Sequence, residues 1–387
     1  MGEFSLRLSQ LPPYLFKEIE LAKTRAIEKG MDLIDLGIGD PDQPTPGHIV
    51  RAGEEALKNP VNHHYPTYSG MPEFRQAVAS WYKKRFKVEL DPETEVLTLI
   101  GAKEGIGHTP LAFVNPGDIV LTPSPGYPVY IPATIFAGGI PHLLPLKKEN
   151  SFLPELETIE EGILKKAKLL FINYPNNPTG ATAALDFFSY VVEFAARHSI
   201  IVIHDNPYSE IYYDSLSQPS FLEVEGAKEI GIEIHSLSKT YNMTGWRIGM
   251  ACGNKEILKG LLEIKSNLDS GVFQAIQEAG ISALTGPQTC VQEMRDLYQE
   301  RRDVLVEGLE RIGWRIPKPK ATFYLWIPVP SNHSSSKFAQ FLLEEVGVVV
   351  TPGVGFGQYG EGYIRMALTV DKERLKEAVD RIKGLRL

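Results

Sequence analysis

Seven short apolar runs lie between residues 96 and 253, separated by mixed stretches long enough to form helices. They cover residues 96–100, 119–122, 142–146, 169–173, 200–204, 230–235 and 248–252. Near-continuous apolar runs such as Leu169-Leu-Phe-Ile and Ile200-Ile-Val-Ile predict strands buried on both faces. Their alternation with helical patterns predicts an α/β fold with a mostly parallel seven-stranded sheet under helices. Beyond Gly253 the pattern turns helical through about Gly308, and from Trp314 it returns to short strands and helices. Residues 331–336 are a polar loop within this part rather than a linker. No internal repeat or low-complexity segment interrupts the chain.

Open α/β sheets bind ligands beyond the carboxyl ends of their strands, so the residues following each run carry the chemistry. The fifth run continues as His204-Asp205-Asn-Pro-Tyr208, the fourth as Tyr174-Pro-Asn-Asn177-Pro-Thr-Gly180, and the sixth as Ser236-Leu-Ser238-Lys239 through to Arg247. A lysine near another cation and partly desolvated loses its proton more easily and becomes a Schiff-base former. Ser236, Ser238 and Arg247 offer hydroxyls and a guanidinium to a phosphate ester. Asp205 could meet a protonated ring nitrogen, with Tyr208 and Asn177 on a neighbouring ring oxygen, which is what keeps a pyridine ring an electron sink. Together these residues suggest an enzyme that holds pyridoxal 5'-phosphate. Taken singly, each has an ordinary reading: a surface lysine, a turn aspartate, a tight Asn-Pro-Gly turn.

Composition excludes other classes. The 387 residues are 43% hydrophobic and 23% charged, enough for two domains with cores of their own. A formal net charge of −8 argues against nucleic-acid or anionic-membrane partners. Two cysteines, Cys252 and Cys290, suit a reducing compartment. No run approaches the ~18 apolar residues of a membrane span, and the N-terminus has no basic start before an apolar core. The expectation is a cytoplasmic protein with no metal site. Gly37-Ile-Gly39 and Gly353-Val-Gly355-Phe-Gly357 lack the full dinucleotide fingerprint.

The motifs fall in order along nearly the whole chain: Gly37-Ile-Gly39-Asp-Pro-Asp, Tyr65 with Gly70-Met-Pro-Glu-Phe-Arg75, Gly101-Ala-Lys-Glu, Asn173 to Gly180, Asp205 with Tyr208, Ser236 to Arg247, and Arg365. This series resembles the fold-type I pyridoxal-phosphate aminotransferases of class I/II. The resemblance implies a large cofactor-binding domain over 46–290 and a smaller α+β domain from 1–45 and 291–387. It implies Lys239 as Schiff-base lysine and proton carrier, Asp205 on the pyridine nitrogen, and Tyr208 with Asn177 on the ring oxygen. Ser236, Ser238, Arg247 and the backbone of Ala102 and Lys103 would hold the phosphate, the last two as a helix N-terminus does. Tyr127 would lie on the ring face. Tyr65 would reach the phosphate of a neighbouring subunit, implying a homodimer with shared sites. Arg365, a lone charge in Gly362-Tyr-Ile-Arg-Met-Ala-Leu, would clamp the substrate carboxylate, with Gly39 beside it. Arg75 and Glu104 read as structural charges.

Within the family, Leu11-Pro-Pro-Tyr-Leu-Phe, Gly37 to Asp42 and Lys265 to Gln277 are similar to bacterial LL-diaminopimelate aminotransferases. That resemblance implies ping-pong transfer between an amino acid and a 2-oxo acid, here LL-diaminopimelate and 2-oxoglutarate in lysine biosynthesis. It adds Asn267, Tyr14 and Lys103 as substrate contacts. The chain is compact between Tyr65 and Arg75, where plant-type members carry a longer loop with an acidic contact. An aspartate, alanine or aromatic aminotransferase, or a carbon–sulfur lyase, is the alternative.

Overall fold

A computed structural model describes residues 4–12, 15–330 and 333–385. Its largest sheet has seven strands, in the spatial order Val96–Leu99, Gly249–Gly253, Gly231–Ser236, Ile201–Asp205, Ala167–Ile172, Ile119–Ser124 and Ile140–Pro145. Six run parallel, and Gly249–Gly253 runs against both of its neighbours. Each corresponds to one of the seven apolar runs. The reason they read as continuous runs is visible residue by residue. Leu170, Ile172 and Val202 enter one core with Phe74, Tyr82 and Phe188, while Leu169, Phe171 and Ile203 enter another with Ile106 and Leu261. Successive side chains point to opposite faces and both faces are covered, so neighbouring positions along these stretches are apolar alike.

A second body gathers the chain's two ends. Ile34–Asp35 pairs in parallel with Val348–Val349, and Tyr324–Pro328, Tyr363–Ala367 and Thr351–Pro352 form a three-stranded antiparallel sheet. Ile34, Leu36, Phe323, Phe338, Ile364 and Leu375 build its core, which also takes Tyr208, Ile211 and Tyr213 from the segment after Asp205. The helix Thr289–Arg311 begins against the sheet core through Val291 and ends in this one through Leu305, Val306 and Leu309. Arg301 on that helix binds Asp42 with two 2.7 Å hydrogen bonds, a bidentate pair that fixes the Gly39 to Asp42 segment at the mouth of the groove between the bodies.

The polar stretch after Pro330 is partly helical, because Ser334 caps the helix Ser335–Val346 by accepting from the Lys337 N–H. No described helix is long and apolar enough to cross a membrane.

Candidate active site

The groove is a cleft of about 410 Å³ lined by the loops beyond three strand ends and by residues of the second body. Asp205 closes the strand Ile201–Asp205 at the cleft floor. It is 3% exposed, with Oδ2 accepting from the Tyr130 hydroxyl at 2.7 Å. Its Oδ1 is buried with no hydrogen-bond partner among the described residues. Burial raises the Asp205 carboxyl to about 6, against the pull of the Tyr130 hydrogen bond and of His204. At neutral pH it is therefore a carboxylate with one oxygen unsatisfied. An orphaned buried oxygen of this kind costs about 1–3 kcal/mol or more unless a donor meets it.

Asn173 locks the next strand end to this one. Its Nδ2 donates to the Asp205 carbonyl at 2.6 Å and its Oδ1 accepts the Asn177 N–H at 2.8 Å. Asn177 Oδ1 in turn accepts from Arg365 Nη1 at 2.9 Å. A guanidinium only donates, so it fixes the orientation of the Asn177 amide and turns the NH₂ group away toward the cleft as a donor. Arg365 lies in the strand Tyr363–Ala367 and is 3% exposed, with Nη2 donating to the Gly37 carbonyl at 2.7 Å. Its guanidinium carbon sits 4.2 Å from the Tyr324 ring centre and 4.8 Å from that of Phe356. Nε is buried without a partner, and no described carboxylate pairs with it. A buried cation held by rings and carbonyls alone is expensive, and an arriving carboxylate relieves it.

Lys239 follows the strand Gly231–Ser236 on the one-turn helix Leu237–Thr240. Nζ donates to the Gly39 carbonyl at 3.0 Å and lies 5.8 Å from the Phe323 ring centre. Burial lowers its pKa to about 8, with Arg365 and Arg247 assisting and Asp40 opposing. A substantial fraction is free amine at mildly basic pH. Gly39 itself has no alternative, because a Cβ there would fall 2.0 Å from the Tyr324 hydroxyl.

Tyr208 also lines the cleft, its hydroxyl 3.1 Å from that of Tyr324, and burial pushes its ionisation well above the ordinary phenol range. Tyr127 lines the cleft as well, edge-on to Tyr130 at 5.9 Å between ring centres.

At the other end the groups are cationic and less enclosed. The helix Ala102–Phe113 starts after Gly101 with no side-chain cap, so its first N–H groups remain open to an anion. Ser236 Oγ accepts from the Ser238 N–H at 3.1 Å, which brings both hydroxyls to one turn. Arg247 is exposed and sits in the left-handed region at φ 57°, with its guanidinium donating to the Thr244 and Ile100 carbonyls. That conformation costs an arginine roughly 1–2 kcal/mol. Gly101 makes room for it, since a Cβ there would fall 2.4 Å from Arg247 Nη2.

Of the residues singled out in the sequence, Lys239, Asp205, Tyr208, Asn177, Tyr127, Ala102, Lys103, Ser236, Ser238, Arg247, Gly39 and Arg365 all line this one cleft. Tyr65 does not; it stands 91% exposed. Asn267 does not either, being exposed on the helix Lys255–Leu268 with its amide on the Glu263 carbonyl. Tyr14 lies outside the described residues. Arg75 is bound to the Pro92 carbonyl and to Glu93, and Glu104 to Lys265 and the Ile100 N–H, outside the cleft lining. Sequence reasoning missed Tyr130, Tyr324, Phe356 and Glu20 as lining or supporting groups. Tyr130 lies three residues past Tyr127, yet nothing in a strand-end reading points to it.

A family model described as aminotransferase class I and II matches residues 31–382. The chain is 58% identical over 387 residues to the LL-diaminopimelate aminotransferase of Aquifex aeolicus, covering all of both chains. It is 58% identical over 379 residues to that of Syntrophobacter fumaroxidans, covering 98% of each. Among solved structures, the substrate-bound BacF structure from Bacillus subtilis superposes with a TM-score of 0.96 at 39% identity, over 99% of this chain and 98% of that one. The chain is thus a transaminase of the aminotransferase class I and II family, with the fold-type I architecture.

Proposed function

We propose that the cleft binds pyridoxal 5'-phosphate and that the protein is an LL-diaminopimelate:2-oxoglutarate aminotransferase. The observation that carries the cofactor reading is the unpartnered Asp205 Oδ1, an ionised buried oxygen that a protonated pyridine nitrogen satisfies. The Asn177 amide and the Tyr208 hydroxyl fit the ring oxygen. Arg247, Ser236, Ser238 and the N-terminus of the helix Ala102–Phe113 fit the phosphate. Once bound, the cofactor would supply an electron sink that stabilises negative charge at the substrate Cα.

The chain's own residues do the rest. Arg365 binds the α-carboxylate through its guanidinium and so orients the Cα–H bond toward Lys239. Lys239, with a pKa near the working range, takes the Cα proton on Nζ and gives it up again as the amino group is transferred. Tyr324 and Phe356 flank the guanidinium and exclude water from the ion pair it forms with substrate.

The substrate reading rests on the relatives' names and on Glu20. Among the described lining residues the carboxylates are Asp205 and Glu20, and Glu20 lies at the rim, paired with Lys23 at 2.7 Å. A rim carboxylate suits the distal ammonium of a diamino acid. We further propose a cytoplasmic homodimer in which Tyr65 and Asn267 complete the neighbour's cleft, and a domain division at residues 46 and 290.

Purified protein should be yellow, and borohydride should fix the chromophore to Lys239; a colourless protein that takes up no pyridoxal phosphate sinks the cofactor reading. LL-diaminopimelate with 2-oxoglutarate should exceed aspartate, alanine, tyrosine and cystathionine in kcat/KM, without ammonia or thiol release. A better rate with any of the others removes the substrate assignment.

A further inference from the structure

Behind Asp205, on the opposite face of its strand, lies a fully buried histidine–glutamate contact that the proposed reaction does not use. His204 and Glu233 are register partners on adjacent parallel strands, and both are 0% exposed. His204 Nδ1 lies 2.8 Å from Glu233 Oε2, and Nε2 lies 2.9 Å from the Tyr174 carbonyl oxygen. Each ring nitrogen thus faces an oxygen that accepts. Glu233 receives three further donors, from the Tyr82 hydroxyl at 2.9 Å, the Ser220 hydroxyl at 3.0 Å and the Phe221 N–H at 3.0 Å. Burial works to raise its carboxyl, but His204, His235 and Tyr82 together hold it below the ordinary range, so it is a carboxylate.

The neighbouring His235 gives the contrast. Its Nδ1 accepts the Ser236 N–H at 2.9 Å and its Nε2 meets the Ser209 hydroxyl at 2.7 Å, the pattern of a neutral ring. Burial lowers its pKa to about 4. The two histidines share a buried layer and differ in what faces their nitrogens.

We propose that His204 is a buried imidazolium that acts as a positioning residue, keeping the Asp205 carboxylate ionised and tying the Asn173–Asn177 turn to the strand. The charge acts on Asp205 from the next residue. The Tyr174 contact holds the turn whose Asn173 grips Asp205 and whose Asn177 receives Arg365. One pair thereby sets both the ring partner and the carboxylate clamp. The charged and titratable groups around it are Glu233 and His235 from the next strand, Tyr82 from the helix Pro72–Phe86, Tyr174 and Asp205, with Cys252 facing Glu233 from beyond. The competing geometry is a neutral His204 whose Nε2 accepts the Tyr174 N–H, at 3.4 Å.

The proposal rests on the pyridoxal-phosphate reading, and the test separates the two. In ¹⁵N-histidine-labelled holoenzyme at pH 7.5, the signal lost in His204→Gln should show two bonded ring protons, and that of His235 one. The same variant removes a cation near the ring, so the pH midpoint of its chromophore should rise by about one unit, and KM for the amino acid should rise several-fold. Glu233→Gln should leave His204 with a single ring proton and move the midpoint in the same direction, which a purely structural role would not do. A single ring proton on His204 in yellow wild-type enzyme, or an unmoved midpoint in His204→Gln, overturns the proposal alone. A wild-type protein that takes up no cofactor overturns the cofactor reading and the positioning role with it.

Discussion

The two ends of the cleft are built differently. At the ring end, Asp205, Asn173, Asn177, Tyr130 and Arg365 are buried and interlocked, each hydrogen bond fixing the donor or acceptor of the next. At the end proposed for the phosphate, Arg247 is exposed and the donors are backbone N–H groups and hydroxyls. Such interlocking suits a task of holding one geometry against desolvation. On the proposed reading the second end would receive a dianion, which charge and open N–H groups attract without a closed cage. Substitutions at the first end should therefore act on turnover or on substrate binding, and those at the second on cofactor affinity.

The largest effect should come from Lys239→Ala, with turnover falling on the order of 10⁴-fold while cofactor still binds through the phosphate contacts; stopped-flow rates and cofactor titration measure both. Full activity in this variant would remove Lys239 from its role. In the unsubstituted, cofactor-free protein, acylation of Lys239 should rise with pH through a midpoint near 8, because only the neutral amine reacts.

Asp205→Asn should cost about 10²- to 10³-fold in kcat and at the same time stabilise the cofactor-free protein. Burial raises the folded carboxyl from 3.8 to about 6, so ionising it opposes folding. The gain in the variant should be full above pH 6, on the order of 3 kcal/mol, and vanish below pH 4. Urea melts across that range decide it, and a variant less stable than wild type at pH 7 would break the account of Asp205.

Arg365→Lys keeps the charge but loses the bidentate fork, and should raise KM for the amino acid about 10- to 100-fold with a smaller change in kcat. An unchanged KM would place the carboxylate elsewhere.

The smallest effect belongs to the open end. Arg247→Ala should weaken cofactor binding about tenfold and leave the rate at saturating cofactor near wild type. A loss of rate as large as that of Asp205→Asn would erase the distinction between the ends.

Much of this was legible in advance. The seven runs predict the seven strands because burial on both faces leaves a sequence signature that needs no tertiary information. Lys239, Asp205 and Asn177 were legible because strand ends are where such sheets place ligands. Tyr130, Tyr324 and Glu20 were not, since each comes from a helix or from the second body, at no fixed spacing from the strands. Asn177 shows the limit most clearly. Its presence at the site is written in its motif, but which half of its amide faces the cleft is decided by Arg365, 188 positions away.

The sequence by itself determined the sheet, the order of the motifs and the kinds of group available: an amine, a carboxylate, a guanidinium and a turn with two serine hydroxyls. Only the tertiary structure decided their states. Burial brings Lys239 down to about 8 and Asp205 up to about 6. The Tyr324 ring crowds out a side chain at residue 39. Composition and spacing name the groups, whereas protonation and orientation depend on desolvation and on partners brought together across hundreds of residues.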